Sequence, residues 1–237
     1  MESAGATNPL QQNDGAVFDD DIPQLSSHAL EALREFIAEQ NRTVVEASSG
    51  EQPEEEVALV AEDWRLSQFW YDRETAETVA REVLALCETL EFPSVACIAC
   101  PTLYAYLKKI DPNVQAQLLE YDHRFSSYGT EFTFYDYNKP EDLPSSLKHS
   151  YSVIVADPPY LSQECLEKVS ETISFLSRSG KSYLLLLTGD VQKDRAAELL
   201  DLRPCRFRPQ HSSKLGNEFR LFTNYDPGMR LGGWEGE

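Results

Sequence analysis

The sequence predicts an α/β protein with a doubly wound, mostly parallel sheet that is covered by helices on both faces. Continuous apolar runs such as Val153-Ile154-Val155 and Leu184–Leu187 are typical of strands buried on both sides. Segments with helical spacing alternate with these runs, as in βαβ units. Acidic residues follow three of the runs, at the sheet edge where such proteins bind ligands.

Three regions of different composition divide the chain. Residues 1–24 are rich in Gly, Asn, Gln, Asp and Pro, which predicts a disordered acidic tail. Residues 25–60 are expected to form an amphipathic helix, with apolar residues at helical spacing from Leu30 to Ile37, and then a solvated linker. The folded domain is expected to span residues 61–237.

Within this domain the elements follow in order. Apolar residues from Ala76 to Leu90 mark one face of a helix that ends near Pro93. The predicted strands are Val95–Ala99, Ala116–Tyr121, Phe132–Tyr135, Ser152–Ala156 and Tyr183–Thr188. The helices predicted between them are Thr102–Lys109, Ser162–Leu176 and Val191–Leu202. Alternating segments at Cys205–Arg208 and Glu218–Asn224, joined by a turn at 214–217, predict a C-terminal antiparallel hairpin.

The charge of the chain limits its partners. The net charge is −19, and residues 1–63 contribute fifteen acidic side chains against two basic ones. A surface that follows nucleic-acid phosphates needs clustered Lys and Arg, so a protein partner is favoured over nucleic acid. A local basic cluster in the tail is interpreted as a solvated hairpin face, and it comprises Arg203, Arg206, Arg208, Lys214 and Arg220.

The cysteines and the apolar runs indicate a cytoplasmic protein without a membrane segment. Five cysteines, an odd number, and no apolar signal segment near Met1 fit a reducing compartment. The apolar runs are too short to span a bilayer. Cys97 and Cys100 form a C-x-x-C pair without the further ligands that a structural zinc site needs, so no metal is predicted and both are expected to be buried.

Acidic residues at the predicted strand ends suggest a nucleoside-type ligand. Glu120 and Asp122 follow the second strand, where a carboxylate can accept two hydrogen bonds from ribose hydroxyls. Asp136, with Tyr137 beside it, follows the third strand and is a candidate for an adenine amino group. The alternative for each acid is a helix cap or a solvated loop end.

The tetrapeptide Asp157-Pro158-Pro159-Tyr160 follows the fourth strand and suits an amine. Two prolines fix φ and remove two donors, which leaves carbonyl acceptors beside a carboxylate and an aromatic ring. An amine could hydrogen-bond to Asp157 and the Pro158 carbonyl, with Tyr160 packed against it. The alternative is a stiff turn that leaves a buried strand.

These residues carry a resemblance to a known family. The strand followed by Asp-Pro-Pro-Tyr (DPPY) resembles the motif of class I amino-methyltransferases. More narrowly, the segments Asp63–Tyr71, Leu118–Asp122 and Phe134–Asn138 look like the eukaryotic translation elongation factor 1A lysine methyltransferase 1 family, first named as adenine-specific DNA methyltransferases. This resemblance covers about residues 60–226. It implies a Rossmann-like fold, S-adenosylmethionine as methyl donor, and elongation factor 1A as protein substrate.

The chain departs from the class I pattern after the first strand. No glycine occurs between Gly50 and Gly129, and the usual Gly-rich turn is replaced by a segment that includes Cys100 and Pro101. We expect Cys100 and Pro101 to contact the cofactor there. The segment Gln68–Tyr71 is expected to supply part of its wall, with Phe69 and Trp70 as cofactor contacts, and its alternative role is to pack the first helix onto the sheet.

Three functions remain open at this stage. The preferred one is lysine methylation by a monomeric enzyme, with Asp157, Pro158, Pro159 and Tyr160 as the catalytic group. The DPPY segment alone supports adenine methylation in DNA or RNA equally well. The missing glycines also allow a catalytically silent module that binds a partner protein.

Overall fold

The protein is described here by a computed structural model, in which residues 57, 59–178, 182–213 and 218–236 are described. The predicted tail, nearly all of the segment 25–60 and the turn 214–217 lie outside these residues. Within the described ranges, no helix combines the length and the apolar character that a membrane crossing requires.

A single seven-stranded sheet forms the centre of the described domain. Its strands are β1 (Val95–Ile98), β2 (Ala116–Glu120), β3 (Phe132–Phe134), β4 (Val153–Ala156), β5 (Tyr183–Gly189), β6 (Arg203–Pro204) and β7 (Phe219–Thr223). The strand order is β3-β2-β1-β4-β5-β7-β6. Strands β1 to β5 are parallel, and β7 pairs antiparallel with both β5 and β6. The predicted doubly wound, mostly parallel sheet is confirmed.

In the described part of the chain, four helices cover the sheet: α1 (Arg73–Glu88), α2 (Pro101–Ile110), α3 (Gln163–Leu176) and α4 (Lys193–Leu200). The Asp72 side chain caps α1 by accepting the Thr75 amide at 2.8 Å. Pro101 occupies the first turn of α2, where its missing N–H costs no hydrogen bond. The predicted helix at 191–202 is shorter in the structure, because a 3₁₀ turn at Asp190–Gln192 precedes α4.

Alternation along each central strand divides the core between the two faces of the sheet. In β1, Val95 and Cys97 pack with the cluster around α1 and α2, whereas Ala96 and Ile98 pack with the cluster around α3. Every residue of this strand is buried. The continuous apolar runs therefore arise because both faces of the strand are covered.

The hairpin prediction was right in topology and wrong in the position of its first strand. The sequence predicted this strand at Cys205–Arg208, whereas the residues that pair with β7 are Arg203–Pro204. The Cys205 amide still donates to the Leu221 carbonyl. Beyond Cys205 the backbone turns to residues 231–234, since the amides of Arg206 and Phe207 donate to Gly233 and Leu231. A later segment thus occupies the pairing positions that β7 was expected to fill.

A buried ion pair joins this C-terminal region to α1. Glu82 is 2% exposed and accepts hydrogen bonds from the Arg230 guanidinium and, at 2.9 Å, from the Tyr225 hydroxyl. A buried carboxylate is tolerated when it is fully paired in this way.

Candidate active site

The carboxyl ends of β1, β2, β3 and β4 border a cavity of about 370 Å³, large enough for a nucleoside-sized ligand. The predicted site residues that line it are Phe69, Trp70, Cys100, Pro101, Glu120, Asp136, Tyr137, Asp157, Pro158, Pro159 and Tyr160. The structure therefore brings together side chains that are more than ninety residues apart in the sequence. Asp122 does not line the cavity.

Asp157 directly follows β4, beside the end of β1, and lines the cavity. Its amide donates to the Ile98 carbonyl at 3.0 Å, which fixes the backbone beside β1. The residue is half-buried, with its accessible surface facing the cavity. Burial of the carboxyl group raises its pKa to about 8, the nearby Tyr71 hydroxyl lowers the pKa, and repulsion from Glu120 raises it further.

Glu120 is a second acid that lines the cavity, at the end of β2. It is 6% exposed and accepts the Asp122 amide at 3.1 Å. Burial raises its pKa to about 7, an effect that repulsion from Asp122 reinforces and the backbone hydrogen bonds oppose. Two neighbouring carboxyl groups with raised pKa values in one cavity are typical of a functional site.

Asp122 has a supporting position. One of its oxygens accepts the Gln68 side-chain amide at 2.9 Å and the Arg124 Nε at 2.8 Å. Gln68 in turn accepts hydrogen bonds from Arg124 and from the Asp63 amide. This buried network fixes the segment that precedes α1 against the end of β2, so Asp122 holds the cavity wall in place.

The turn after β1 explains how the chain manages without glycine. Ala99 adopts φ 53°, in the left-handed region that glycine usually occupies, and it lines the cavity. Cys100 and Pro101 follow, and the Cys100 thiol points to the Val155 carbonyl at 3.6 Å. The alanine side chain is small enough to keep the backbone close to the cavity at a modest conformational cost.

Both members of the C-x-x-C pair are buried thiols, as predicted. Cys97 lies in β1 and Cys100 in the turn that follows. No group of three or more His, Cys, Asp or Glu suitable for a metal ion occurs in the part of the chain that the structure describes.

An aromatic wall closes the cavity on the side of residues 69–71. The Trp70 indole donates to the Val60 carbonyl at 2.9 Å and meets Phe125 edge-on at 6.2 Å. Tyr71 stacks on His211 at 4.5 Å, and the two residues form an antiparallel bridge. Tyr71 belongs to the segment Gln68–Tyr71, which the sequence predicted to form part of this wall, but no separate role was predicted for its hydroxyl group.

Exposed aromatic rings surround the cavity mouth. Tyr160 is 44% exposed and lies 5.9 Å from Tyr137, measured between ring centroids. Tyr121, also missed by sequence reasoning, is 52% exposed and lines the cavity from the end of β2. Asp136 accepts the Asn138 amide at 2.9 Å and borders the same opening. An aliphatic amine could enter between these rings towards Asp157.

Known proteins resemble this chain over most of its length. A family described as "Probable N6-adenine methyltransferase" matches residues 62–227. The human protein "EEF1A lysine methyltransferase 1" is 46% identical over 216 residues, which cover 90% of this chain and 97% of that protein. The chain belongs to the EEF1A lysine methyltransferase 1 family. The mouse protein of this family is 48% identical, with 89% and 96% of the two chains covered.

The family match and the predicted resemblance coincide in extent, since both begin just before Asp63.

A solved structure also shares the fold. The branched-chain polyamine synthase mutein from Thermus thermophilus superposes with a TM-score of 0.50 and 13% identity, covering 75% of this chain and 64% of that one. At this identity the likeness concerns the fold alone. Membership of the EEF1A lysine methyltransferase 1 family confirms the resemblance that the sequence segments predicted.

Proposed function

We propose that this chain is an S-adenosylmethionine-dependent protein-lysine N-methyltransferase. Its proposed substrate is translation elongation factor 1A, which the names of its relatives specify. The observation that carries the proposal is the buried carboxyl group of Asp157, which borders the cavity together with the following prolines and Tyr160. A carboxylate, a carbonyl and an aromatic ring around one opening suit a cationic amine.

The cavity also has the chemistry that the methyl donor requires. Glu120 is buried, burial raises the pKa of its carboxyl group, and ribose hydroxyls are suitable hydrogen-bond donors to it. Residues that would hold the cofactor are Phe69, Trp70, Cys100, Pro101, Glu120, Asp136, Tyr137 and Asp157. When bound, S-adenosylmethionine supplies an electrophilic methyl group.

The residues of the chain align the acceptor and accept its hydrogen bonds. Asp157 and the Pro158 carbonyl orient the lysine amine, Pro159 stiffens the turn, and Tyr160 packs against the side chain at the mouth. A lysine must lose one proton before its nitrogen lone pair can react. Asp157 can take that proton when its carboxyl group is ionised, and because its pKa is raised to about 8 the ionised form predominates only above that pH.

Adenine in nucleic acid is the second candidate acceptor, and the ion pairs of two tail arginines argue against it. Arg220 has a side chain that is 13% exposed and pairs with Asp190, Glu218 and Glu235. Arg208 pairs with Glu218 and Glu235 as well. Guanidinium groups that are already neutralised offer little to phosphates.

The test is to incubate the protein with labelled S-adenosylmethionine and either elongation factor 1A or adenine-containing DNA. We expect label in the protein, and we expect Asp157→Ala to lose turnover while calorimetry still detects cofactor binding. Label found in DNA alone would overturn the proposal. Absence of cofactor binding to the unchanged protein would favour a silent binding module instead.

Two further properties accompany this proposal. Five free cysteines, all buried, are consistent with the predicted reducing, cytoplasmic environment. A monomeric state also stays a prediction, which light scattering of the purified protein would check.

A further inference from the structure

The hydroxyl group of Tyr71 has no hydrogen-bond partner among the described residues, although the side chain is 4% exposed. Buried hydroxyl groups nearly always have a partner, so an exception calls for an explanation. Tyr71 and Asp157 line the same cavity, and the Tyr71 hydroxyl lowers the pKa of the Asp157 carboxyl group. The unpaired donor is thus next to the acid that faces the acceptor.

We propose that Tyr71 is a positioning residue for Asp157, whose hydroxyl donates a hydrogen bond to one carboxylate oxygen while the other oxygen receives the acceptor amine. This role rests on the proposed lysine methylation. A carboxylate held at one oxygen by a fixed donor presents its second oxygen in a single orientation. Tyr71 therefore acts through Asp157 and does not itself touch the acceptor.

Stacking holds the ring of Tyr71, and hydrogen bonds hold the backbone before and after it. It stacks on His211 at 4.5 Å with an angle of 27° between the ring planes. The Ser212 amide donates to the Trp70 carbonyl at 2.9 Å, and the Asp72 amide donates to the Gln210 carbonyl at 3.0 Å. These bonds fix the backbone before and after Tyr71, so its hydroxyl keeps one position relative to Asp157.

The groups that face Asp157 make the hydroxyl necessary. Glu120 approaches from β2 and Cys100 from the turn after β1, and neither supplies positive charge. Burial lowers the pKa of His211, which lies behind Tyr71, to about 4, so its ring is neutral at physiological pH. A donated hydrogen bond is then the means by which the ionised form of Asp157 is stabilised.

Tyr71→Phe tests this role, because it removes the hydroxyl and keeps the ring that stacks on His211. We expect kcat/KM at pH 7 to fall roughly ten- to a hundredfold, the usual effect of losing one hydrogen bond to an ion. The acidic limb of the pH profile is expected to move to higher pH, since Asp157 would lose its proton only at a higher pH. Tyr225→Phe, which removes a tyrosine hydroxyl from Glu82 far from the cavity, is the matched control and should leave the profile unchanged.

A second measurement does not depend on the acceptor. Carboxyl ¹³C NMR titration of the free protein, with Asp157→Asn to assign the signal, should report a higher Asp157 pKa in Tyr71→Phe than in the unchanged protein. An unaltered Asp157 titration together with an unaltered pH profile would overturn the role of Tyr71. If the unchanged protein methylates no lysine, the proposed function fails, whereas the titration still decides whether Tyr71 and Asp157 are coupled.

Discussion

Replacing Glu120 by glutamine is expected to stabilise the free protein and to weaken cofactor binding. The pKa of Glu120 is about 7 in the folded protein, compared with 4.5 as its ordinary value. The folded state holds this proton more tightly than the unfolded chain does. The carboxyl group therefore contributes its full stabilisation below pH 4.5, and that contribution is lost as the pH rises to about 7. Above pH 7 the ionised, buried carboxylate lowers stability by about 3 kcal/mol relative to low pH.

Glutamine keeps the size of the side chain and carries no charge to bury. Glu120→Gln should therefore raise the melting temperature at pH 8 by roughly 6–12 °C, and should change it little at pH 5. The same substitution removes a charged acceptor for the ribose hydroxyls. We expect the dissociation constant for the cofactor product S-adenosylhomocysteine at pH 8 to rise roughly ten- to a hundredfold.

Thermal unfolding at both pH values and titration calorimetry at pH 8 measure the two effects. The control is Glu131→Gln, outside the cavity, where hydrogen bonds from Tyr104 and Lys108 outweigh burial and lower the pKa. That variant should lose stability at pH 8. The reasoning would be refuted if Glu120→Gln destabilised the free protein at pH 8, or if it bound the cofactor product as tightly as the unchanged protein.

Substitutions at three further positions probe the supporting structure. Gln68→Ala should weaken cofactor binding measured by calorimetry, because it removes the bond that holds the cavity wall to Asp122; unchanged binding would contradict this role. Arg230→Ala should lower the free energy of unfolding in denaturant by about 3 kcal/mol, because Glu82 stays buried without its cation. A loss well below 1 kcal/mol would mean that Glu82 needs no hydrogen bond from Arg230. Ala99→Val should cost about 1–2 kcal/mol of stability at its positive φ, whereas Ala99→Gly should stay within about 1 kcal/mol of the unchanged protein.

The sheet and its helices could be predicted from the sequence because their physical signals are local. The run Val153–Ala156 is apolar on both faces, and α1 shows its buried stripe in the spacing from Ala76 onward. The acids at the strand ends were also predictable, since a parallel sheet brings its carboxyl ends to one edge. Glu120, Asp136 and Asp157 all line the cavity for this reason.

Other features depend on contacts between distant segments and left no local signal. Asp122 resembles Glu120 in sequence, but its carboxylate is engaged by Gln68, more than fifty residues earlier. The first hairpin strand ends early because residues 231–234 pair with the chain after Cys205. Tyr71 lies in the segment predicted to form part of the wall, but its relation to Asp157 left no local signal, since neither its neighbour His211 nor Asp157 is close to it in sequence.

The bridge between Tyr71 and His211 has a consequence for the order in which the molecule is made. These residues are 140 positions apart, and the wall of the cavity forms only when they meet. During synthesis on the ribosome, the first half of the sheet can assemble well before His211 has emerged. Cofactor binding by a growing chain should therefore begin late, after β7 has been added beside β5.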